Sequence, residues 1–468
     1  MADPWTQLLA VLSWIVRSWR RPAGAGAAWQ QAARRIGPAD EGMGRHPALA
    51  RSTRPMVVVV GAGFAGMAVV RNLAKAPVDV TLIDRHDYQL FTPLLYQVAS
   101  AVLAPSEIVR PLRSMLSGRR IDVRLATATS LDLDRRVVIT DRGEVPYDIL
   151  VAATGSVTSF PSKTIEQRSL ALKDLDDAVT LRSRVLEQFE AARWEPDEKR
   201  RRQLLAFVIV GGGPTGVEFA GSLNDLVQLI LDRESAGLDR REVSVTIIEG
   251  EGSLLRTFGP KLGKQAQRAL VGKGILVVQG SVQAVTAGRV KLADGSEVRS
   301  GLTVWAAGVR ASDLASALTD KPGKGGTVLV DRSLRLTTHP EVFVLGDLAA
   351  VGAGDKLLPM LAAVAQQEGE YAARSITALA LGAPDIPSFR YRDRGMMATN
   401  GRFAAVVKAG PYQLHGLPGW LAWLVVHIAL LTGFRNRGLV ILSWLSAFVF
   451  QNRAVRLIGP SVRKPRGG

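Results

Sequence analysis

Cysteine is absent from all 468 residues. The chain therefore has no disulfide framework, thiolate zinc site, cysteine-ligated iron–sulfur cluster or thiol nucleophile. Histidine is nearly as scarce. His46, His86, His339, His415 and His427 are scattered without HxH or HxxxH spacing, so no metal site is expected. Acidic residues are also in deficit: 42 Asp and Glu against 59 Lys and Arg leave a formal charge of +17. Such an excess favours an anionic partner, whether nucleic acid, acidic phospholipid or a polyanionic cofactor. What remains is ordinary for a folded chain, with 47% hydrophobic and 22% charged residues, which excludes wholesale disorder and low complexity. At roughly 100–200 residues per domain the length implies about three domains and room for a large core.

The positive charge is gathered at the ends. In the first 55 residues eight arginines face only Asp3, Asp40 and Glu41. The opening WTQLLAVLSWIVRSWRR sets Trp5, Trp14 and Trp19 among aliphatics ahead of arginines, which suits a helix lying at a bilayer interface. A disordered tail and a targeting signal compete with that reading, although a signal peptide would carry its basic residues before the apolar run. A start site set too far upstream would also explain the segment, because Met43 and Met56 precede the first strand texture.

From residue 395 onward there is no Asp or Glu, against nine Lys or Arg. Residues 417–434 and 438–450 are uncharged, and a basic turn, Arg435-Asn436-Arg437, lies between them. A spanning helix needs about 20 apolar residues, so two interfacial helices are expected. In the second, Ile441, Trp444, Leu445 and Phe448 fall on one face. Trp420, Trp423 and Trp444, with the four tryptophans of the first 55 residues, make seven of the chain's nine, a clustering that suits an interfacial belt. Arg435, Arg437, Arg453, Arg456, Arg463, Lys464 and Arg466 would meet anionic headgroups. The competing reading is a buried helix pair forming a homodimer interface. No nucleic-acid reading module is present.

Between these ends, β-branched runs stop on glycines and lead into helical patterns, as in wound parallel sheets. Residues 56–60 precede GAGFAG and residues 207–210 precede GGGPTG, and Gly61 and Gly211 are 150 positions apart. In each turn the first glycine allows the tight bend, the second lets backbone approach a pyrophosphate, and the third lets helix pack on strand. The first set is Gly61, Gly63 and Gly66, with Phe64 and Ala65 at the helix start; the second is Gly211, Gly213 and Gly216, with Pro214 and Thr215. N–H groups at such a helix start face anionic phosphate. The following strands end in Asp84 and Glu249, carboxylates placed to accept hydrogen bonds from ribose hydroxyls. Glu249 favours NADH by repelling the extra phosphate of NADPH, although Arg256 nearby could serve one. Glu218, in the first turn of the second helix, is either stabilised by the helix N-terminus or set beside the nicotinamide. Residues 173–202, with Leu172, Leu175, Ala178, Val185 and Phe189 spaced by threes, fours and sevens among charges, read as a helical linker crossing between domains.

Together these motifs resemble the two-dinucleotide-binding flavoproteins of the glutathione-reductase-like superfamily over residues 56 to about 394. ATG at Ala153, Thr154 and Gly155, AAG at Ala306, Ala307 and Gly308, and GD at Gly346 and Asp347 match that superfamily's further segments. The resemblance implies FAD on the first turn, the nicotinamide cofactor on the second, and Asp347 on the flavin ribityl chain. Within the superfamily FTPLLYQVAS, GGGPTGVEFAG, VWAAGV, LGDLA and NRAVRLIG resemble the type II NADH dehydrogenases, single-subunit NADH:quinone oxidoreductases. That likeness implies a non-proton-pumping respiratory flavoenzyme, monotopic on a membrane and, in a bacterium, on the cytoplasmic face of the inner membrane. Its chemistry would be hydride transfer from NADH to FAD, then two electrons to a membrane quinone.

The family carries two glutamines four residues apart in a helix lining its quinone site, in a pattern like AQxAxQ. Here AAVAQQEG puts Gln367 at the second position and Ala363 at the first. Gln366 is adjacent but turned about 100° away on a helix. Gln367 is therefore the expected partner of a quinone carbonyl, with Glu368 or solvent as proton source, and Glu218 the expected catalytic-site carboxylate. The expected fold is α/β, with two Rossmann-like dinucleotide-binding domains and a C-terminal membrane-associating helical segment. Its divisions are 1–55, a basic extension; 56–172 and 313–394, the two parts of an FAD-binding domain; 173–312, an NAD(H)-binding domain with its leading linker; and 395–468, a membrane anchor. Two rivals remain: a soluble NADH-dependent ferredoxin reductase and a slow NADH- and FAD-binding redox sensor. Disulfide reductases and sulfide:quinone oxidoreductases need paired cysteines and are excluded.

Overall fold

Two parallel five-stranded sheets carry the fold in the computed structural model, which describes residues 4–19, 54–233, 237–353, 356–383, 387–453 and 455–459; four strands follow the same order in both, while the edge strand comes last in the chain in the first sheet and first in the second. The first sheet runs Val342–Val344, Ile149–Ala152, Met56–Val60, Asp79–Asp84, Ile121–Leu125, and the second Leu170–Ala171, Leu302–Trp305, Ala206–Val210, Ser244–Glu249, Leu276–Gln279. Their central strands, MVVVV and AFVIV, are buried almost throughout because both faces are covered, which is why they read as unbroken apolar runs. Each sheet carries a three-stranded antiparallel meander between its third and fourth strands in sequence or in the matching place, at Ala128–Pro146 and Val282–Arg299. The units join through a short antiparallel ladder, Ser156–Thr158 on Val309–Ala311.

The helices that matter for the site are α1 (Pro4–Trp19), α2 (Phe64–Leu73), α3 (Leu95–Ala99), α4 (Leu175–Trp194), α5 (Pro214–Arg233), α6 (Ala362–Ala380), α7 (Gly416–Leu430) and α8 (Phe434–Phe448). The expected charged linker is α4, but it does more than cross between units. Its Leu181, Val185 and Phe189 are buried in one core with Leu95 and Val98 of α3, and Phe189 stacks on Phe207 at 5.7 Å. Asp174 and Asp177 start it with a reciprocal capping box.

Three expectations for the ends are corrected. First, α1 is a docked helix rather than a tail. Its Leu8, Val11 and Ile15 are buried against Val407, Ala409 and Leu414 of the C-terminal antiparallel meander (Met396–Thr399, Ala405–Ala409, Tyr412–His415) and Ala422 and Val426 of α7, while Trp5, Leu9 and Val16 stay exposed. The remainder of the extension, residues 20–53 with Met43, lies outside the described residues, as do Arg463, Lys464 and Arg466. Second, Trp420, Trp423 and Trp444 are buried, not belt residues: Trp423 stacks on His427 at 4.1 Å and lies 5.3 Å from Trp444. The buried face of α8 is Val440, Trp444, Ala447 and Phe448, whereas Ile441, Leu442 and Leu445 point outward, so the expected single face is divided. The pattern misled because α7 and α8 are apolar on both sides.

Third, Arg435 to Arg437 form the first turn of α8 and not the hinge, which is Leu431 to Gly433. Arg437 donates to Leu431 O at 2.8 Å and Ala429 O at 2.9 Å, capping the end of α7. Arg453, expected at headgroups, is buried and donates to Ser100 O at 2.6 Å. Arg456 donates to Arg453 O at 3.0 Å. Among the described residues no helix is long and apolar enough to cross a membrane.

Candidate functional site

The first glycine turn is shaped by two close backbone approaches and one open position. Gly61 has φ +104°, and a Cβ there would stand 2.4 Å from Ala153 O. A Cβ on Gly66 would stand 1.8 Å from Gly61 O, so helix and strand could not meet. Gly63, by contrast, would put a Cβ within 4 Å of nothing, leaving the space into which a phosphate can come. Gly63 caps α2 without a side-chain hydrogen bond and no acid occupies its first turn, so the N–H groups at Phe64 and Ala65 keep their attraction for an anion. Asp84 closes the turn: Oδ2 accepts from Ala62 N at 2.6 Å and Oδ1 from His86 N at 2.8 Å.

The second turn repeats this geometry. Gly211 has φ +109° with a Cβ position 2.7 Å from Ala306 O, a Cβ on Gly216 would stand 1.9 Å from Gly211 O, and Gly213 faces open space. Glu249 Oε2 accepts from Gly212 N at 2.6 Å and Oε1 from Glu251 N at 2.6 Å. Pro214 and Thr215, at the helix start, are exposed, whereas their counterparts Phe64 and Ala65 are half-buried and buried. Arg256 is paired with Glu251 at 2.6 Å, both side chains exposed.

The other predicted segments gather beside the first turn. A Cβ on Gly346 would touch the side chains of Ala65 and Ala365 at 3.6 Å, and Gly369 of α6 packs on Ala65 O closely enough to exclude any side chain. Asp347 Oδ2 accepts from Ser156 Oγ at 2.5 Å and lies 3.6 Å from Lys173 Nζ. Lys173 also donates to Ser156 Oγ at 2.8 Å. Sequence reasoning missed Ser156 and Lys173, although Ser156 follows the ATG segment directly. Thr154 Oγ1 and Ser312 Oγ share a hydrogen bond of 2.5 Å across the two units, near Gly155 and Gly308, both at positive φ.

Gln367 does not present a free amide: Nε2 donates to Ala363 O at 3.1 Å and Arg392 O at 3.0 Å, and Oε1 accepts from Arg392 N at 3.0 Å. Arg392 lies 25 residues downstream, so no local pattern announces this clamp. Gln366 turns to Glu370 at 3.2 Å. Glu368, next in sequence, is almost fully buried, and its Oε2 accepts from Gly346 N at 2.5 Å. Burial pushes its carboxyl up to about 7, the Gly346 N–H opposes that, and the charge of Asp347 adds to it. Gly346, Asp347, Pro359, Met360, Val364 and Glu368 line a small cleft here.

Glu218 heads a second, unanticipated polar chain. Its Oε1 accepts from Thr399 N at 3.3 Å; Thr399 Oγ1 and Tyr96 OH are 2.9 Å apart; Gln97 Nε2 donates to Tyr96 OH at 3.1 Å; and Trp444 Nε1 donates to Gln97 Oε1 at 2.7 Å. The chain runs from α5 through the C-terminal meander and α3 to α8. Desolvation pushes Glu218 up to about 8, with hydrogen bonding from Thr399 opposing the shift. Tyr96 is held well above the ordinary tyrosine range by burial and by the charge of Glu218. Tyr96 and Gln97 sit within FTPLLYQVAS, and only their place in that phrase could have pointed to them. Among the described residues no group of His, Asp and Glu could hold a metal ion.

Comparison with known proteins places this geometry in context. A family model described as pyridine nucleotide-disulphide oxidoreductase matches residues 55–369. The chain is 36% identical over 420 residues to the type II NADH:quinone oxidoreductase Ndh of Mycobacterium tuberculosis, covering 86% of this chain and 89% of that protein. It is 34% identical to NdhA of the same organism over 422 residues, covering 86% and 88%. Among solved structures, NDH2 from Plasmodium falciparum in complex with NADH superposes with a TM-score of 0.75 at 20% identity, covering 84% of this chain and 98% of that one.

Proposed function

Because the chain belongs to the pyridine nucleotide-disulphide oxidoreductases and, within them, to the type II NADH:quinone oxidoreductases, we infer that it is an FAD-dependent enzyme that oxidises NADH and reduces a quinone. The observation that carries this reading is the pair of glycine turns, each with an open phosphate approach at its middle glycine and a carboxylate locked at the following strand end. Held by the first turn and its neighbours, FAD would supply the hydride-accepting and two-electron-donating chemistry that joins NADH to a quinone. The chain's own residues bind, orient and hold protons.

In this reading Gly61, Gly63, Phe64, Ala65 and Gly66 bind the FAD pyrophosphate through backbone N–H groups, with Asp84 at the adenosine ribose. Thr154, Gly155, Gly346 and Asp347 lie along the rest of the flavin, with Ser156 and Lys173 fixing the Asp347 carboxylate. Gly211, Gly213, Pro214, Thr215 and Gly216 take NADH, Glu249 its ribose, and Gly308 and Glu218 border the nicotinamide. Gln367 acts as a positioning residue that ties Arg392 to α6, and Glu368 is the group suited to hold a proton near neutral pH.

The lipid side of the molecule is part of the same reading. Leu417, Val425, Leu430, Phe434, Ile441, Leu442, Leu445, Val449 and Phe450 are exposed on or beside α7 and α8, with Trp5, Leu9 and Val16 on α1. An apolar surface of that extent suits an in-plane contact with a bilayer, where a lipophilic quinone is found. In a bacterium this would be the cytoplasmic face of the inner membrane. A detergent-free homodimer that buries this face would replace the lipid contact.

Steady-state NADH oxidation by the flavin-loaded chain in detergent, with a short-chain quinone or a ferredoxin as acceptor, tests the function. Turnover with quinone and none with ferredoxin is expected; turnover with ferredoxin alone would overturn it.

A further inference from the structure

Three arginines converge, without a carboxylate, where the turn between α7 and α8 meets the first unit. Arg71 lies in the last turn of α2, Arg110 on the strand Val109–Pro111, and Arg119 just before the strand Ile121–Leu125. Arg119 Nη1 approaches Arg71 O at 3.4 Å, and Arg71 Nη2 approaches Gln89 Oε1 at 3.4 Å. The Arg110 guanidinium packs on the α7–α8 turn, 3.3 Å from where a Cβ on Gly433 would stand. None of the three has an ion-pair partner among the described residues. Burial and then the neighbouring charges of Arg110 and Arg119 push the Arg71 guanidinium below its usual range. The C-terminal end of α2 accounts for one cation there, not for three. Like charges gathered in this way are relieved by an anion, and guanidinium forks suit the oxygens of a phosphate.

The pyrophosphate of a bound dinucleotide cannot be that anion. Arg71 stands seven residues from Phe64, roughly 10 Å along the helix axis, at the opposite end from the glycine turn. What lies beside the cluster is apolar surface. Phe434 is 90% exposed at the start of α8, and Leu430 is exposed at the end of α7. Asn436 Nδ2 donates to Val109 O at 3.0 Å, fixing this turn to the strand that carries Arg110. The Arg110 guanidinium therefore sits beside outward-facing apolar side chains, with Arg71 and Arg119 behind it and near enough for the charges to act on one another, an arrangement met by a molecule with a phosphate head and a hydrocarbon tail.

We propose that Arg71, Arg110 and Arg119 form a headgroup site for an anionic glycerophospholipid, seated beside the α7–α8 turn. The site rests on the membrane-surface reading above and adds lipid selectivity to it. A free phosphate shares the headgroup chemistry but would leave Phe434 and Leu430 without a role.

The flavin-loaded chain is sedimented with vesicles of phosphatidylcholine alone and of phosphatidylcholine mixed equally with phosphatidylglycerol. The expected result is tighter binding to the anionic vesicles, with about a fivefold loss of that gain for each arginine replaced by glutamine. Arg119→Glu, at an exposed position that the fold tolerates, should lose more than Arg119→Gln. Arg241→Gln, which removes an exposed arginine paired with Asp239, should change nothing. If the triple Arg→Gln variant keeps the wild-type gain, or the wild type shows no preference for anionic vesicles, the headgroup site is overturned while the membrane reading stands. Failure to bind either vesicle overturns both. If inorganic phosphate alone raises the melting temperature as much as short-chain phosphatidylglycerol does, the site is one for a free anion and the lipid assignment falls.

Discussion

The two glycine turns differ in one place that their shared geometry makes informative. Both hold a strand-end carboxylate against the amide of the residue after the first glycine, at 2.6 Å in each. The first uses Asp84 with Ala62, the second Glu249 with Gly212. Glutamate is one methylene longer, and a Cβ on Gly212 would stand 2.6 Å from Glu249 Oε2 and 2.4 Å from Leu254 Cδ2. The shorter aspartate leaves room for the buried methyl of Ala62. The extra glycine is thus the steric counterpart of the longer acid. A second difference is enclosure at the helix start: Phe64 is half-buried and Ala65 is buried beneath α6, while their counterparts Pro214 and Thr215 are exposed; Gly66 and Gly216 are buried alike. A covered turn suits a resident cofactor and an open one a substrate that comes and goes.

The largest expected effect tests what the turns share. Gly66→Ala places a methyl 1.8 Å from Gly61 O, and Gly216→Ala does the same at 1.9 Å from Gly211 O. Overpacking of this kind costs about 1–3 kcal/mol or more. Gly66→Ala should therefore yield insoluble or flavin-free protein, and Gly216→Ala a protein that keeps flavin but no longer reacts with NADH; absorbance spectra and thermal melts check both. Gly63→Ala and Gly213→Ala form the next pair, since neither methyl meets protein. Apo stability should stay within about 0.5 kcal/mol, while the first loses flavin and the second raises KM for NADH. Equal losses of flavin in the two would break the assignment of one ligand to each turn.

Gly212→Ala should raise KM for NADH about tenfold, within the range expected for overpacking, and leave flavin content unchanged. Adding Glu249→Asp should recover much of the loss by rebuilding the Ala–Asp arrangement of the first turn. No recovery would show that the acid and the glycine are not coupled.

A pH-dependent effect separates the polar surroundings of the second unit's helix from those of the first. Glu218 is raised from 4.5 to about 8, so the folded chain binds a proton that the unfolded chain has lost. Its contribution to stability is fully present below pH about 4.5 and is lost as pH rises through about 8, with a slope of at most about 1.4 kcal/mol per pH unit. Glu368, raised to about 7, acts in the same direction over the lower part of that window. Glu218→Gln should flatten the decline in chemical-denaturation stability between these pH values without abolishing it. The smallest effect is that of Glu251→Gln, which frees the exposed Arg256. The pair itself contributes about 0.2–1 kcal/mol, and the measurable consequence is a modest rise in NADPH use relative to NADH.

The parts legible in the sequence are those fixed by local spacing. The turns and the strand-end acids lie within segments whose chemistry depends on near neighbours in the chain, whereas Gly346-Asp347 is reached through the family likeness. The two sheets follow from the turns, because each must join a buried parallel strand to a helix. The parts that were not legible depend on distant contacts. Gln367 is occupied by Arg392, Asp347 by Ser156 and Lys173, and Glu218 by Thr399. The C-terminal helices misled for another reason: with apolar residues all round, α7 and α8 do not announce which tryptophans turn inward. Arg453 is the sharpest case, since composition groups it with surface cations while burial sets it against Ser100 O.

Anaerobic mixing of the flavin-loaded chain with NADH, followed by addition of quinone, tests the central claim most directly. The account predicts that NADH bleaches the flavin absorbance, that quinone restores it with one quinol formed per flavin, and that Gly213→Ala slows only the bleaching. Flavin that NADH does not bleach, or that ferredoxin restores while quinone leaves it bleached, would contradict the account.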